Sequence, residues 1–217
     1  MGEFPTTIGD IDAPWLTQTL QKAGALDGAT VVDFEAESIG VGVGIMGLLH
    51  RIHLRYDADG SGPATVVVKL PTDGPGARHV ARVFRFYEKE VGFYRDLAAH
   101  SPMATPECFL ASHEIDADEF VLLLADVTEG VVYSQLDGCP PDVAHIAART
   151  LARHHAAFAE SPLFDRPDLA WLPFASDSPT PEGVIQGVGD AWPTFKELFP
   201  ELVTPELESI VPRYLAV

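Results

Sequence analysis

Residues 38–47 read SIGVGVGIMG, and residues 48–56, LLHRIHLRY, follow without a break. Gly42, Gly44 and Gly47 have the G-x-G-x-x-G spacing that unrelated nucleotide-binding loops share, so the element after Gly47 decides the fold. That element alternates. Leu48, His50, Ile52, Leu54 and Tyr56 fall on one face, and Leu49, Arg51, His53 and Arg55 on the other, which is the period of a half-exposed strand. Before the loop, residues 30–39 (TVVDFEAESI) are rich in β-formers; beyond it, residues 57–63 (DADGSGP) are a turn cluster and 65–70 (TVVVKL) a third strand. The spacing predicts an antiparallel meander with the glycine loop between its first two strands.

A dinucleotide-binding βαβ unit would need the third glycine to open a helix whose N-terminus faces the pyrophosphate, with an acidic residue about 20 positions further on. Here a strand pattern follows Gly47 and the later region is Val66-Val67-Val68-Lys69, which argues against an NAD site. Two readings of the glycines stay open: a flap over phosphates, as in protein kinases, or a hairpin turn that uses Gly for positive φ.

Lys69 is a charge in an otherwise apolar strand. It either snorkels to water from the strand end or points inward at phosphate oxygens, held by a carboxylate because an unpaired buried charge is too costly. Residues 78–99 supply a candidate. Val80, Val83, Phe84, Tyr87, Val91, Tyr94 and Ala98 recur at helical spacing and predict one long amphipathic helix. Glu90 falls about 20° from Val83 on that wheel, inside the apolar arc, whereas Glu88, Lys89, Arg82, Arg85, Arg95 and Asp96 lie at its edge or beyond. The pair Lys69 and Glu90 is thus expected to meet, as a phosphate grip or as an ion pair that only orients the helix.

The 217 residues are 47% hydrophobic, enough for a substantial core in one large domain or two small ones. With 32 acidic and 14 basic residues the formal charge is −18, which repels nucleic acid and anionic membranes. Cys108 and Cys139 are too few and too far apart for a disulfide framework or a zinc site. The start, MGEFPTTIGDID, has neither a basic n-region nor an apolar h-region, and the longest apolar run, Phe120 to Ala125, is far short of a membrane span, so a cytoplasmic protein is expected. Asp12 caps a first helix with Pro14 in its first turn, and residues 192–199 and 205–214 read as short helices.

Six stretches occur in order over most of the chain: IGVGVGIMG (39–47), VVVKLP (66–71), YEKEVGFYRDL (87–97), TPECFLA (105–111), FVLLLADV (120–127) and LARHHAAF (151–158). In this order the chain resembles the N-terminal part of the kinase-like small-molecule phosphotransferases: aminoglycoside phosphotransferases, choline kinases and, nearest in texture, the ecdysteroid-kinase-like branch and its bacterial relatives. The resemblance implies an α+β, protein-kinase-like fold. Residues 1–29 would be a helical extension, 30–127 an antiparallel-sheet N-lobe with one long helix and the hinge, and 128–217 the start of a mainly helical C-lobe. It implies ATP and Mg²⁺ as cofactors. Gly42, Gly44 and Gly47 would cover the phosphates, Lys69 would contact the α- and β-phosphates and pair with Glu90, and backbone groups of Leu124, Ala125 and Asp126 would meet the adenine edge. Many relatives have Glu-Asp where this chain has Ala125-Asp126, so any role of that glutamate is missing.

Leu151, Ala152, His155 and Ala156 match the Leu-Ala-x-x-His-Ala pattern of a large-lobe helix in these relatives. On a helical wheel His154 falls within a stripe of Val143, Ile146, Thr150, Leu151 and Phe158, and the pair His154 and His155 reads as hydrogen-bonded structural histidines. Phosphoryl transfer in this fold also uses a His-x-Asp-x-x-x-x-Asn loop and a later Mg²⁺-holding Asp, yet none of the eight histidines begins such a stretch. The expectation is therefore the ATP-binding portion of a longer kinase that moves the γ-phosphoryl to a hydroxyl of a small metabolite or antibiotic-like acceptor, inactive by itself and without a catalytic residue of its own. The alternative is a non-catalytic, pseudokinase-like fragment that binds nucleotide or a protein partner.

Overall fold

Asp12 starts the first helix: its carboxylate accepts the Trp15 N–H at 2.8 Å. The helix, α1 (Ala13–Lys22), carries Pro14 in its first turn and ends before Gly24, whose φ is 75°. The computed structural model describes residues 4–40, 46–58, 62–134, 137–172 and 180–216; Gly42 and Gly44 lie outside them.

The chain then forms β1 (Val31–Ile39), β2 (Gly47–Tyr56) and β3 (Thr65–Pro71), each antiparallel to the next. Gly47 opens a strand, so the helix-opening turn of a dinucleotide site is absent there. After β3 come α2 (Pro75–Val83) and α3 (Phe86–Gly92), followed by one π-helical turn over Phe93–Leu97. The single helix expected over 78–99 is thus two helices, broken at Arg85, which takes φ 53° and ψ 41°. Packing explains the break. Ala81 and Tyr87 are both buried in one cluster, yet six positions apart on a straight helix they would point about 120° away from each other. One residue in the left-handed region costs about 1–2 kcal/mol. Burying both faces against the sheet offsets that cost, and the Arg85 guanidinium, holding Glu88 through two nitrogens, fixes the corner.

The sheet is completed by β4 (Cys108–Glu114) and β5 (Glu119–Ala125), giving five antiparallel strands in the order β1-β2-β3-β5-β4. β5 is apolar without alternation because both its faces are covered. On one side Val121 and Leu123 join Leu16 and Leu20 of α1 with Ile52, Val66, Val68 and Leu70. On the other, Phe120, Leu122 and Leu124 pack with Ala81, Tyr87 and Val91 from α2 and α3.

The next helix, α4 (Pro141–Phe158), has no buried residue. Ile146 and Leu151, placed by the wheel in an inward stripe, are 64% and 47% exposed, and the half-buried positions are Val143, Thr150, His154 and Phe158. The wheel gave the right period and a wrong edge, because the neighbouring chain covers only the narrow strip that passes through His154. The chain divides into two compact units, residues 1–171 and 172–217. The second unit holds α5 (Thr180–Leu198) and α6 (Pro205–Tyr214), the latter capped by Thr204, whose Oγ1 accepts the Leu207 N–H at 3.2 Å. Within it Trp192 stacks on Phe195 and Leu215 rests on Gly189. Among the described residues no helix is long and apolar enough to cross a membrane.

Candidate functional site

Strand register puts the candidate residues on one face. Leu49 of β2 and Leu122 of β5 lie directly opposite Lys69 of β3, and Arg51, Val67 and Leu124 form the next row. α3 approaches this face and brings Glu90. Lys69 Nζ donates to Glu90 Oε1 at 2.6 Å and to Oε2 at 2.7 Å, a charge-assisted, bidentate contact between residues from separate elements. The two side chains are 23% and 32% exposed, so the pair is neither sealed in the core nor out in bulk water.

Gly47 completes the arrangement. A Cβ built on it would lie 2.9 Å from Lys69 Cε, 3.4 Å from Lys69 Cγ and 3.1 Å from the Leu70 carbonyl oxygen. The lysine stem therefore crosses the bare backbone of this glycine, and any larger residue would push the stem aside. Glycine spacing alone did not reveal that role, which follows from the register that sets Gly47 opposite Pro71 and beside Lys69.

At the other end of the row, Asp126 is held by its side chain. Arg51 Nε donates to Asp126 Oδ2 at 2.6 Å and Nη2 to Oδ1 at 3.3 Å, while Nη1 reaches Glu37 Oε1 on β1 at 2.9 Å. Asp126 is only 4% exposed, and the Arg51 hydrogen bonds keep its carboxyl below the usual aspartate range. The sequence showed Arg51 on the same face as Leu49 but gave no sign of a partner 75 positions away. The Ala125 N–H is committed to the Glu107 carbonyl at 2.8 Å, and Leu124 and Ala125 pair with Val67 and Val66 in the ladder. β5 is thus an inner strand up to Ala125, and Asp126 is the first residue beyond it.

Cys108 and Tyr94 pack against the same cluster as Leu122 and Leu124. Burial pushes the Cys108 thiol up to about 11, which keeps it protonated and rules it out as a ready nucleophile. The Tyr94 hydroxyl is raised by burial too, with the Glu90 charge adding to the effect. His154 Nδ1 lies 3.0 Å from Ser101 Oγ, which also accepts the Met103 N–H at 3.1 Å, and its ring meets Phe158 edge-on. His155, by contrast, is exposed. Among the described residues no group of three His, Cys, Asp or Glu side chains could hold a metal ion. Of the residues singled out from sequence, the fold brings together Gly47, Lys69 and Glu90, and sets Leu124, Ala125 and Asp126 along β5 and just past its end. Two further members, Gly42 and Gly44, lie outside the described residues. No family model matches the chain, and no curated protein matches it in sequence.

Proposed function

We propose that this chain is the nucleotide-gripping part of an ATP-dependent small-molecule phosphotransferase with a kinase-like N-lobe. One observation supports the reading above the others: Lys69 and Glu90, from separate elements, meet at 2.6 Å, with the lysine stem lying against a glycine at which an added Cβ would press on it. In this reading the ammonium neutralises phosphate oxygens, Glu90 keeps it extended towards them, and Gly47 lets backbone come close to both. Leu49, Val67 and Leu124 on the same face offer apolar contact for a purine ring. Because the Ala125 N–H is already used, backbone from Asp126 onwards is the better candidate for the base edge than Leu124 or Ala125.

The residues fit the phosphates and the base better than they fit Mg²⁺, for which the described residues supply no ligand set. The complete reaction would move the γ-phosphoryl of ATP to the hydroxyl of a small metabolite or antibiotic-like acceptor and release ADP; Lys69 and Glu90 would bind and orient ATP for it. A second reading, a non-catalytic module that binds nucleotide or a protein partner, is favoured by the lack of any His-x-Asp-x-x-x-x-Asn stretch in these residues.

The test is equilibrium titration of the full chain with ATP and with NADH, each with Mg²⁺. ATP is expected to bind saturably and NADH not to; binding of NADH alone would overturn the proposal. ADP release in the presence of hydroxylated acceptors then separates an enzyme from a module.

A further inference from the structure

α3 has only seven residues, too few to keep a direction without outside contacts. Tyr87 and Val91 fasten it to the sheet, and the corner at Arg85 uncouples it from α2. Its far end is held by a residue 75 positions beyond Asp96. A Cβ built on Gly92 would lie 2.5, 2.6 and 2.7 Å from three carbons of the Trp171 indole, so ring and helix backbone touch with no room for a side chain. The indole Nε1–H donates to Asp96 Oδ2 at 2.8 Å, and Arg95 grips the same carboxylate through Nε at 2.8 Å and Nη2 at 2.7 Å. Asp96 lies in the π-helical turn that continues α3, a place where the regular hydrogen-bond ladder is interrupted and direction is easily changed. Trp171 is presented by two 3-10 turns, Pro162–Asp165 and Pro167–Leu169, the second anchored by buried Leu169.

Gly92 is two residues from Glu90. A roll or slide of about 1 Å at this end of α3 would take Glu90 out of hydrogen-bond range of Lys69. We propose that Trp171 is a positioning residue for the Lys69–Glu90 pair: its ring on Gly92 and its N–H on Asp96 set α3 so that the carboxylate meets the ammonium. The geometric part stands by itself, and its consequence for nucleotide affinity rests on the reading given under Proposed function. Trp171 thereby acts on the pair through Gly92 and Asp96.

The experiment is pulse acylation of lysines in the full chain, read residue by residue by mass spectrometry, on the wild type and on Trp171→Ala, Trp171→Phe, Gly92→Ala and the Gly92→Ala/Trp171→Ala double variant. Exposed Lys22 on α1 is the internal control. Trp171→Ala should raise the Lys69 rate about tenfold, the scale of one lost hydrogen bond to a charged group, with Lys22 unchanged. Gly92→Ala should do the same by expelling the ring, and the double variant should be no worse than Trp171→Ala alone, since both remove one contact. Trp171→Phe, which keeps a ring on Gly92 but donates no hydrogen bond, should fall between, and it decides the matter if the alanine variant does not fold. An unchanged Lys69 rate, or a rise shared equally by Lys22, would overturn the proposal. ATP titration of the same samples keeps the two ideas apart. Altered Lys69 labelling with no ATP binding by the wild type would sink the nucleotide reading and leave the latch, whereas ATP binding with unaltered labelling would do the reverse.

Discussion

Lys69 and Glu90 keep enough solvent contact that lost hydration and screening offset most of their attraction; a pair of this kind contributes about 0–1 kcal/mol to folding. Selection for stability alone is a weak reason to place an ammonium in an apolar strand. Lys69→Ala should therefore shift the melting temperature little while weakening ATP affinity about tenfold to a hundredfold, the scale of hydrogen bonds to a charged group; calorimetry and an ATP titration on one preparation check both halves.

Asp126 is the opposite case, nearly sealed and gripped by Arg51, so its folded-state pKa lies below the ordinary aspartate value of 3.8. Its contribution is complete above that value and is lost as pH falls through the lower, folded pKa. His113 titrates earlier. Burial lowers it from 6.5, and its Nε2 is buried without a hydrogen-bond partner. Above about 6.5 it is neutral in both states and adds no slope; below that the unfolded chain takes up the proton first, so stability falls as pH drops. His50, also lowered by burial, acts in the same direction. Urea midpoints measured from pH 7 to pH 5 should fall, and His113→Gln should flatten that slope in part; an unchanged slope would remove His113 from the account.

Among the elements, β5 holds the most. Phe120 is fully buried and stacks on Tyr87 with ring centroids 4.3 Å apart, joining the sheet to the helix that carries Glu90. Phe120→Ala should cost about 3–5 kcal/mol in a denaturant melt, the usual range for a large aromatic lost from a core. A loss below about 1 kcal/mol would mean that α3 is not packed as described. The first half of the fold was legible because its signals are local: Asp12 before Pro14, strict alternation through residues 48–56, a turn cluster at 57–63. The break at Arg85 was not, since arginine is no turn signal and Val80, Val83, Phe84 and Tyr87 keep a helical period straight through it. Glu90 could still be placed on the inner side because Tyr87 and Val91, its neighbours within α3, obey the period on their own. The contacts of Arg51 with Asp126 and of Trp171 with Asp96 each join residues 75 positions apart, a distance over which periodicity carries no information.

At the scale of the whole molecule, the first of two structural units holds the five-stranded sheet and an 18-residue helix without a buried residue. The strong negative charge makes an anionic ligand costly anywhere except where a cation is held ready, which is the role proposed for Lys69 beside Glu90. Protection of Lys69 by nucleotide is the most direct measurement of that role. Adding ATP to the full chain should slow acylation of Lys69 saturably and leave Lys22 and Lys196 unaffected. A Lys69 rate that does not depend on ATP at any concentration would contradict the account.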